Sequence, residues 1–180
     1  MPDVIDLIKA DHREVERLFD QLQNEPDKRA AVLPVLSALL IAHSRAEEAE
    51  VYPVARDEAG ETDEVAHSQD EHAEAEEILT RLRGEDPTTP TFDEVLKELV
   101  DAVTHHVEEE ESRVLPGMRG RLGDDRREAL ADAFAASRAQ HLGESPGEPT
   151  KEELETQAKN KGMSGASGKS KDELSEELKP

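Results

Sequence analysis

Two stretches of the chain repeat one pattern: His43-Ser-Arg-Ala-Glu47-Glu-Ala-Glu-Val-Tyr-Pro53 and His106-Val-Glu-Glu-Glu110-Glu-Ser-Arg-Val-Leu-Pro116. In each stretch a histidine is followed by a glutamate four residues later and by a proline ten residues later. Residues four apart lie on the same face of an α-helix, so each histidine and its glutamate can bind one common centre. The pattern therefore predicts two helices that present the same pair of ligands.

A second repeat precedes each of these stretches: Asp11-His12-Arg-Glu-Val-Glu16 lies before the first, and Glu71-His72-Ala-Glu-Ala-Glu76 lies before the second. The copies are 60 residues apart in this repeat and 63 residues apart in the other. These offsets predict two similar helical hairpins that face each other. Each hairpin would supply one histidine and one His-x3-Glu pair to a central axis.

The apolar residues around these histidines follow the three- and four-residue spacing of amphipathic helices. The run Ile5, Ile8, Val15, Phe19 and Leu22 keeps this spacing only if His12 also points inward, and the other three histidines continue similar runs. Burying a carboxylate in a helical bundle costs several kcal/mol unless a cation or hydrogen bonds compensate. Four inward histidines and two inward glutamates therefore indicate a pair of metal ions.

The same periodicity predicts an all-α fold, an up-down-up-down four-helix bundle with a short fifth helix and a small C-terminal helix-loop-helix element. The predicted long helices begin at Pro2-Asp3, after Asn24-Glu-Pro26-Asp27, near Thr62 and near Thr91, and the fifth helix runs from Asp124 to Arg138. Pro34 is expected to kink the second helix or to delay its start. We divide the chain into a bundle domain (1–142), a turn-rich linker (143–149) and a small helical or partly disordered C-terminal element (150–180).

The order His, His-x3-Glu, His, His-x3-Glu resembles the hemerythrin-like (HHE cation-binding) family over about residues 3–120. Members of this family are four-helix bundles around a non-haem di-iron centre. The resemblance implies six metal ligands: His12, His43, Glu47, His72, His106 and Glu110. It also implies that Glu47 and Glu110 bridge two iron ions, together with an oxo or hydroxo group.

One position departs from the oxygen-carrying members of the family. These have a second histidine four residues after the one that matches His72, and this chain has Glu76 there. We include Glu76 as a candidate ligand, and we expect an additional carboxylate to favour the ferric state over reversible oxygen carriage. The resemblance then implies a centre that reacts with or senses oxygen, peroxide or nitric oxide, with catalase-like peroxide reduction or iron handling as further activities.

Three other histidines are left out of the predicted ligand set. His105 and Glu109 have the same spacing as His106 and Glu110. However, His106 continues the apolar stripe, and its distance to the following proline matches that of His43. His67 lies off the stripe that contains His72, and is predicted to be a surface residue or to support a ligand; His141 is predicted to be solvated. Other metal-site patterns fit less well, because Glu-x-x-His of the ferritin-like type occurs once and the metalloprotease signature is absent.

The composition excludes several classes of protein. The 180 residues include 44 acidic and 22 basic side chains, a net charge of -22, and no cysteine. A disulfide scaffold, a thiolate zinc site and a cysteine nucleophile are therefore excluded. The apolar runs are too short to span a membrane and no signal-peptide pattern opens the chain, so we expect a cytoplasmic protein with no membrane contact. The acidity opposes binding to phosphate backbones.

The C-terminal element carries two helix-start signals, Thr150 with Glu153 and Ser170 with Glu173, at the spacing of a capping box. It resembles the small helix-loop-helix of the Rho N-terminal or SAP type, which implies contact with nucleic acid. Four lysines of its loop favour such a contact (Lys159, Lys161, Lys169 and Lys171), whereas the net negative charge of the element and its lack of aromatic residues oppose it. Two interpretations from other classes stay open: an interaction protein that binds DNA, RNA or a protein through this element, and a metal-free structural bundle.

Overall fold

The computed structural model describes residues 2–179, and within that range it contains helices and no strand. Four long helices form the bundle: α1 (Val4–Asn24), α2 (Arg29–Ala46), α4 (Thr62–Gly84) and α5 (Pro90–Glu109). The remaining α-helices are α3 (Tyr52–Asp57), α6 (Leu115–Arg121), α7 (Asp124–His141), α8 (Lys151–Asn160) and α9 (Lys171–Glu177). The predicted all-α helical-bundle fold is confirmed.

Local capping explains where the bundle helices begin. The Asp3 side chain accepts a hydrogen bond from the Ile5 backbone N–H at 2.9 Å and starts α1. Thr89 caps α5 in the same way, and Pro90 at the first helical position has no N–H to leave unsatisfied. α2 begins at Arg29 and includes Pro34, so this proline does not delay the start of the helix.

Two short π-helical turns interrupt the expected α-geometry, and each begins at a predicted ligand. Glu47–Val51 joins α2 to α3, and Glu110–Val114 joins α5 to α6. The N–H groups of Tyr52 and Leu115 donate to the carbonyls of residues five positions earlier. Single π turns of this kind are frequent at functional sites, because the extra residue changes the direction in which neighbouring side chains point.

The predicted ligands lie between two apolar clusters. One cluster fills one end of the bundle around Leu18, Leu36 and Phe92, and the other surrounds Ile8, Tyr52 and Phe134. On α1, His12 lies between the two clusters, because Ile8 before it belongs to one cluster and Val15 after it belongs to the other. The polar site is therefore shielded from solvent at both ends of the bundle.

The fifth predicted helix is longer than the sequence indicates. α7 has 18 residues, as many as α2, and ends at His141 instead of Arg138. Its Phe134 is fully buried and lies edge-on to the His43 ring at 5.9 Å between centroids. α7 thus covers one side of the predicted metal site.

One helical stretch, Pro26–Asp57, is long and apolar enough by length and composition to cross a membrane, although the uninterrupted apolar runs are short. In the fold, 61% of its most apolar window is buried inside the protein. A core helix of a bundle has this same character, so the stretch is weak evidence for a membrane span.

The C-terminal element forms both predicted capping boxes, at Thr150 and at Ser170. α8 and α9 share a small apolar core that includes Leu154, Ala158 and Leu174. The element also packs on the bundle, because Asn160 donates to the Glu48 carbonyl at 2.9 Å and to Gln69 at 3.1 Å. Residues 150–179 therefore contact the helices that carry the predicted ligands.

Candidate metal centre

Four histidines, one from each long helix, meet in the middle of the bundle. They are His12, His43, His72 and His106, and all are at most 6% exposed. The rings of His12 and His43 lie 5.1 Å apart, and those of His72 and His106 lie 4.6 Å apart. The helical period predicted these inward positions, and the structure brings the four side chains together.

Glu47 and Glu110 are fully buried beside these rings. Glu47 Oε2 lies 3.2 Å from His43 Nε2 and 3.4 Å from His72 Nε2, while Glu110 Oε2 lies 3.3 Å from His12 Nε2. Both carboxylates, and the Nε2 atoms of His12 and His43, have no hydrogen-bond partner. Buried polar atoms without partners are costly, so this donor set fits metal ions that would complete its bonding.

The ligand atoms form two groups that share one residue. His12, His43, Glu47 and Glu110 make one group, and Glu47, His72 and His106 make the other. Glu47 therefore stands between the two groups, as a bridging carboxylate would. Glu110 belongs to the first group alone, so the geometry supports a bridging position more strongly for Glu47 than for Glu110.

Each of the four rings also meets a carboxylate through its Nδ1 atom. Nδ1 of His43 lies 3.2 Å from Asp11, and Nδ1 of His106 lies 2.9 Å from Glu71. Nδ1 of His72 lies 3.2 Å from Glu48, and Nδ1 of His12 lies 2.9 Å from Glu111. An ionised carboxylate only accepts, so each Nδ1 carries a proton, and Nε2 is the ring nitrogen that can bind a metal ion once it has released its own proton.

This pairing follows the sequence repeat. The carboxylate that precedes a histidine, Asp11 or Glu71, binds the histidine of the neighbouring His-x3-Glu pair. The glutamate that follows a predicted ligand, Glu48 or Glu111, contacts the first histidine of the opposite hairpin, His72 or His12. Sequence reasoning did not assign these four positions, although their equivalent places in the two repeats were a usable signal.

Without metal, protons compensate the buried carboxylates. Burial alone would lower the pKa of His43, but the adjacent Glu47 and Asp11 carboxylates outweigh it and raise this pKa to about 10. In the same way Glu47 and Glu48 raise the pKa of His72 to about 9 against the effect of burial. Burial would raise the pKa of Glu48, yet Arg45 and His72 lower it to about 2. The buried carboxylates thus favour positive charge at this site, and a metal ion can supply that charge in place of the protons.

Glu76 departs from the predicted ligand set. Its carboxylate accepts hydrogen bonds from Arg45 Nη2 at 2.7 and 2.8 Å, and Gly147 N–H donates to it at 2.7 Å. It does not belong to either ligand group of the centre. The prediction of Glu76 as a ligand is therefore corrected: the buried Arg45 guanidinium neutralises this carboxylate and turns it away from the histidines.

Tyr52 is a residue of the site that sequence reasoning missed. Its side chain is fully buried, its ring stacks on His72, and its hydroxyl lies 3.0 Å from His72 Nε2. Burial, followed by the charge of Glu47, raises the pKa of this phenol well above its usual value, so it keeps its proton. The signal was present, because Tyr52 is the single tyrosine and stands where the other repeat has Leu115.

A small cavity adjoins the four histidines on the side of the apolar cluster around Leu36. Its volume is about 20 Å³, and its walls include Val15, Leu40 and Val107. Space of this size holds about one water-sized molecule. The centre therefore has room for a small ligand next to it and none for a large substrate.

Comparison with known proteins agrees with this geometry. The family described as hemerythrin HHE cation binding domain matches residues 3–117, which contain all six buried ligand candidates. The chain belongs to this family. The cation-binding function in the family's description agrees with the buried His/Glu cluster of this hemerythrin-family chain.

Two relatives place the match in context. A crystal structure of a hemerythrin HHE cation binding domain-containing protein from Mycobacterium kansasii superposes with a TM-score of 0.71 at 23% identity, over 79% of this chain and 89% of that one. At this identity the likeness shows the fold. A protein of Nostoc sp. named DNA nickase is 33% identical over 136 residues, which cover 74% of this chain and 38% of the relative. The chain thus spans well under half of that relative's length.

Proposed function

We propose that this chain holds two iron ions in its buried centre and uses them to react with or sense oxygen, peroxide or nitric oxide in the cytoplasm. The observation that carries the proposal is the pair of ligand groups that share Glu47, whose carboxylate oxygens, like the Nε2 atoms of His12 and His43, have no hydrogen-bond partner. Four imidazoles with carboxylates suit iron with nitrogen and oxygen ligands. Six convergent ligands exceed what one four-coordinate zinc ion uses.

The residues around the centre have separate tasks. The iron ions, when bound, supply one-electron chemistry and open coordination positions. Asp11, Glu48, Glu71 and Glu111 fix the rings through Nδ1 and keep each Nε2 directed inward. Tyr52 keeps a proton on its hydroxyl beside His72 and can donate a hydrogen bond from it to a small anionic ligand. The apolar cavity admits a diatomic molecule or peroxide and excludes bulk water.

Metal analysis tests the proposal. Anaerobic loading with Fe(II), followed by air, should give two iron ions per chain and visible ferric charge-transfer absorption. His106→Ala should lose at least one iron ion, whereas His141→Ala, which changes a histidine outside the centre, should lose none. A colourless, iron-free wild-type protein after this treatment would contradict the proposal.

A second candidate is a DNA-directed activity, which is favoured by the name of the Nostoc relative and by the resemblance of the C-terminal element to the Rho N-terminal or SAP type. The lysines of the C-terminal element give it little support, because Lys161 pairs with Asp70 and Lys169 pairs with Glu177. Incubation of supercoiled plasmid with the iron-loaded protein tests this candidate. Plasmid nicking that is lost when residues 143–180 are deleted would support a DNA-directed activity, whereas an intact plasmid would rule it out.

A further inference from the structure

Two histidines outside the buried centre meet at the surface of the bundle. His67 and Glu71 are four residues apart on α4, and His105 and Glu109 are four apart on the neighbouring α5. Both histidine side chains are more than half exposed, at 53% and 63%. The two pairs therefore form a second set of two imidazoles and two carboxylates, and this one is open to solvent.

The distances within this set suit one small cation. His67 Nε2 lies 3.1 Å from Glu109 Oε2 and 3.4 Å from Glu71 Oε1. His105 Nε2 lies 3.6 Å from Glu71 Oε1 and 4.0 Å from Glu109 Oε1. Tetrahedral bonds of about 2.0–2.1 Å put neighbouring ligand atoms about 3.3–3.4 Å apart, so small side-chain movements bring all four residues within bonding distance of one ion.

Glu71 gives an independent sign that a ligand belongs here. The residue is 9% exposed, and its Oε1 atom is buried and has no hydrogen-bond partner. This orphaned oxygen points at His67 and His105, while Oε2 of the same carboxylate binds His106 Nδ1 at 2.9 Å. A buried carboxylate with one oxygen hydrogen-bonded and the other without a partner is uncommon in proteins, unless a cation or a hydrogen-bond donor binds the second oxygen.

The surroundings favour a cation over an anion. A surface cavity of about 220 Å³ next to His67 and Glu109 is also lined by Asp63 and Glu64. Arg113 lies in the same wall, but its guanidinium pairs with Glu109 Oε1 at 3.1 Å and leaves Oε2 facing His67. Acidic walls raise the local concentration of cations and so help a metal ion to reach the four ligands.

We propose that His67, Glu71, His105 and Glu109 bind one divalent transition-metal ion of the Zn²⁺ or Co²⁺ type, at a surface site separate from the buried centre. Two imidazole nitrogens and two carboxylate oxygens on two rigid helices make a four-coordinate donor set that these ions accept. Glu71 connects the two sites, because it is a ligand of the surface ion and the hydrogen-bond acceptor of His106.

Co²⁺ titration of the full-length protein, first loaded with iron, tests the site. Wild type should bind one further Co²⁺ per chain and develop the visible absorption of four-coordinate cobalt. The double variant His67→Gln/His105→Gln should bind this ion at least about 10-fold more weakly, since even the loss of supporting groups costs metal sites 10–100-fold in affinity. Glu108→Gln removes an exposed carboxylate next to the cluster and should leave the affinity unchanged.

The buried and surface sites can be told apart in the same experiment. His43→Ala, which damages the buried centre, should leave the surface Co²⁺ signal intact even if iron loading fails. Equal Co²⁺ uptake and equal spectra in wild type and the double variant would overturn the proposal, as would a wild type that binds no additional Co²⁺. The double variant changes exposed side chains, so its circular-dichroism melting curve should match that of wild type and exclude misfolding.

Discussion

At the scale of single residues, Glu48 connects the metal centre with its surroundings. One oxygen accepts from Gln69 Nε2 at 2.8 Å and lies 3.2 Å from His72 Nδ1, and the other accepts from Arg45 and from Gln157. Glu48 thus orients a predicted ligand although it does not itself face the candidate metal centre. Its neighbour Glu47 does, and the π turn that begins there allows both consecutive glutamates to be buried.

Glu48→Gln should lower the iron affinity of the centre by about 10–100-fold, because a neutral amide orients His72 less firmly than a carboxylate does. Competition with a chelator of known affinity measures this change. Glu50→Gln, two residues away and partly exposed, is the matched control and should retain wild-type affinity. An unchanged affinity in Glu48→Gln would show that the contact to His72 does not support the metal.

The raised pKa values of His43 and His72 predict a pH dependence for the chelator-treated protein. Both pKa values, about 10 and about 9, exceed the ordinary histidine value of 6.5. A raised pKa in the folded state contributes stability that is complete below about pH 6.5 and is lost as the pH rises through 9–10. Urea unfolding should therefore give a free energy that is lower at pH 9.5 than at pH 7, by at least about 1 kcal/mol.

The iron-loaded protein should show the opposite trend over the same range. Metal ligands must release their protons, so a higher pH favours the bound state. A chelator-treated protein that becomes more stable between pH 7 and pH 9.5 would contradict the assignment of charge to these two rings.

At the scale of helices, α8 is tied to the centre by polar contacts. Gln157 Nε2 donates to Glu48 Oε2 at 2.9 Å, and both Gln157 and Asn160 are buried against the bundle. Arg56 donates to the Lys159 carbonyl, which adds a further link between α3 and α8. The C-terminal element thus belongs to the support of the metal site, which the composition of residues 150–180 did not indicate.

Gln157→Ala should weaken iron binding by about 10-fold, because Glu48 loses one of the donors that hold its carboxylate beside His72. Iron content after dialysis against a series of chelator concentrations measures the effect. Thr156→Ala, on the preceding residue, removes a hydroxyl that bonds only within α8 and serves as the control. Equal iron retention in both variants would mean that α8 packs on the bundle without affecting the centre.

At the scale of the whole molecule, the buried charges make stability depend on metal. The centre places two buried carboxylates between two apolar clusters, and without metal only protons on the neighbouring histidines offset their desolvation cost. Iron at about 100 times its dissociation constant should stabilise the fold by about 2.7 kcal/mol, and raise Tm by about 5–10 °C. Thermal melts with and without a chelator measure this shift. A chelator that leaves Tm unchanged would favour the metal-free structural bundle.

Periodicity alone was sufficient for the fold and for most of the centre. A helix places residues three and four apart on one face, so the positions of His12, His43, His72 and His106 relative to the apolar stripes already indicated that they point inward. The helix caps at Thr150 and Ser170 were also predicted correctly, because capping depends on residues within one turn.

Contacts between distant residues were decided only by the tertiary structure. Glu76 has the spacing of a ligand, yet Arg45, 31 residues earlier, captures its carboxylate. Gln157 reaches Glu48 across 109 residues, and His67 meets Glu109 on another helix. The spacing of residues along one helix fixes the face on which a side chain lies. It does not specify which side chain of a neighbouring helix lies opposite, because that depends on how the helices pack.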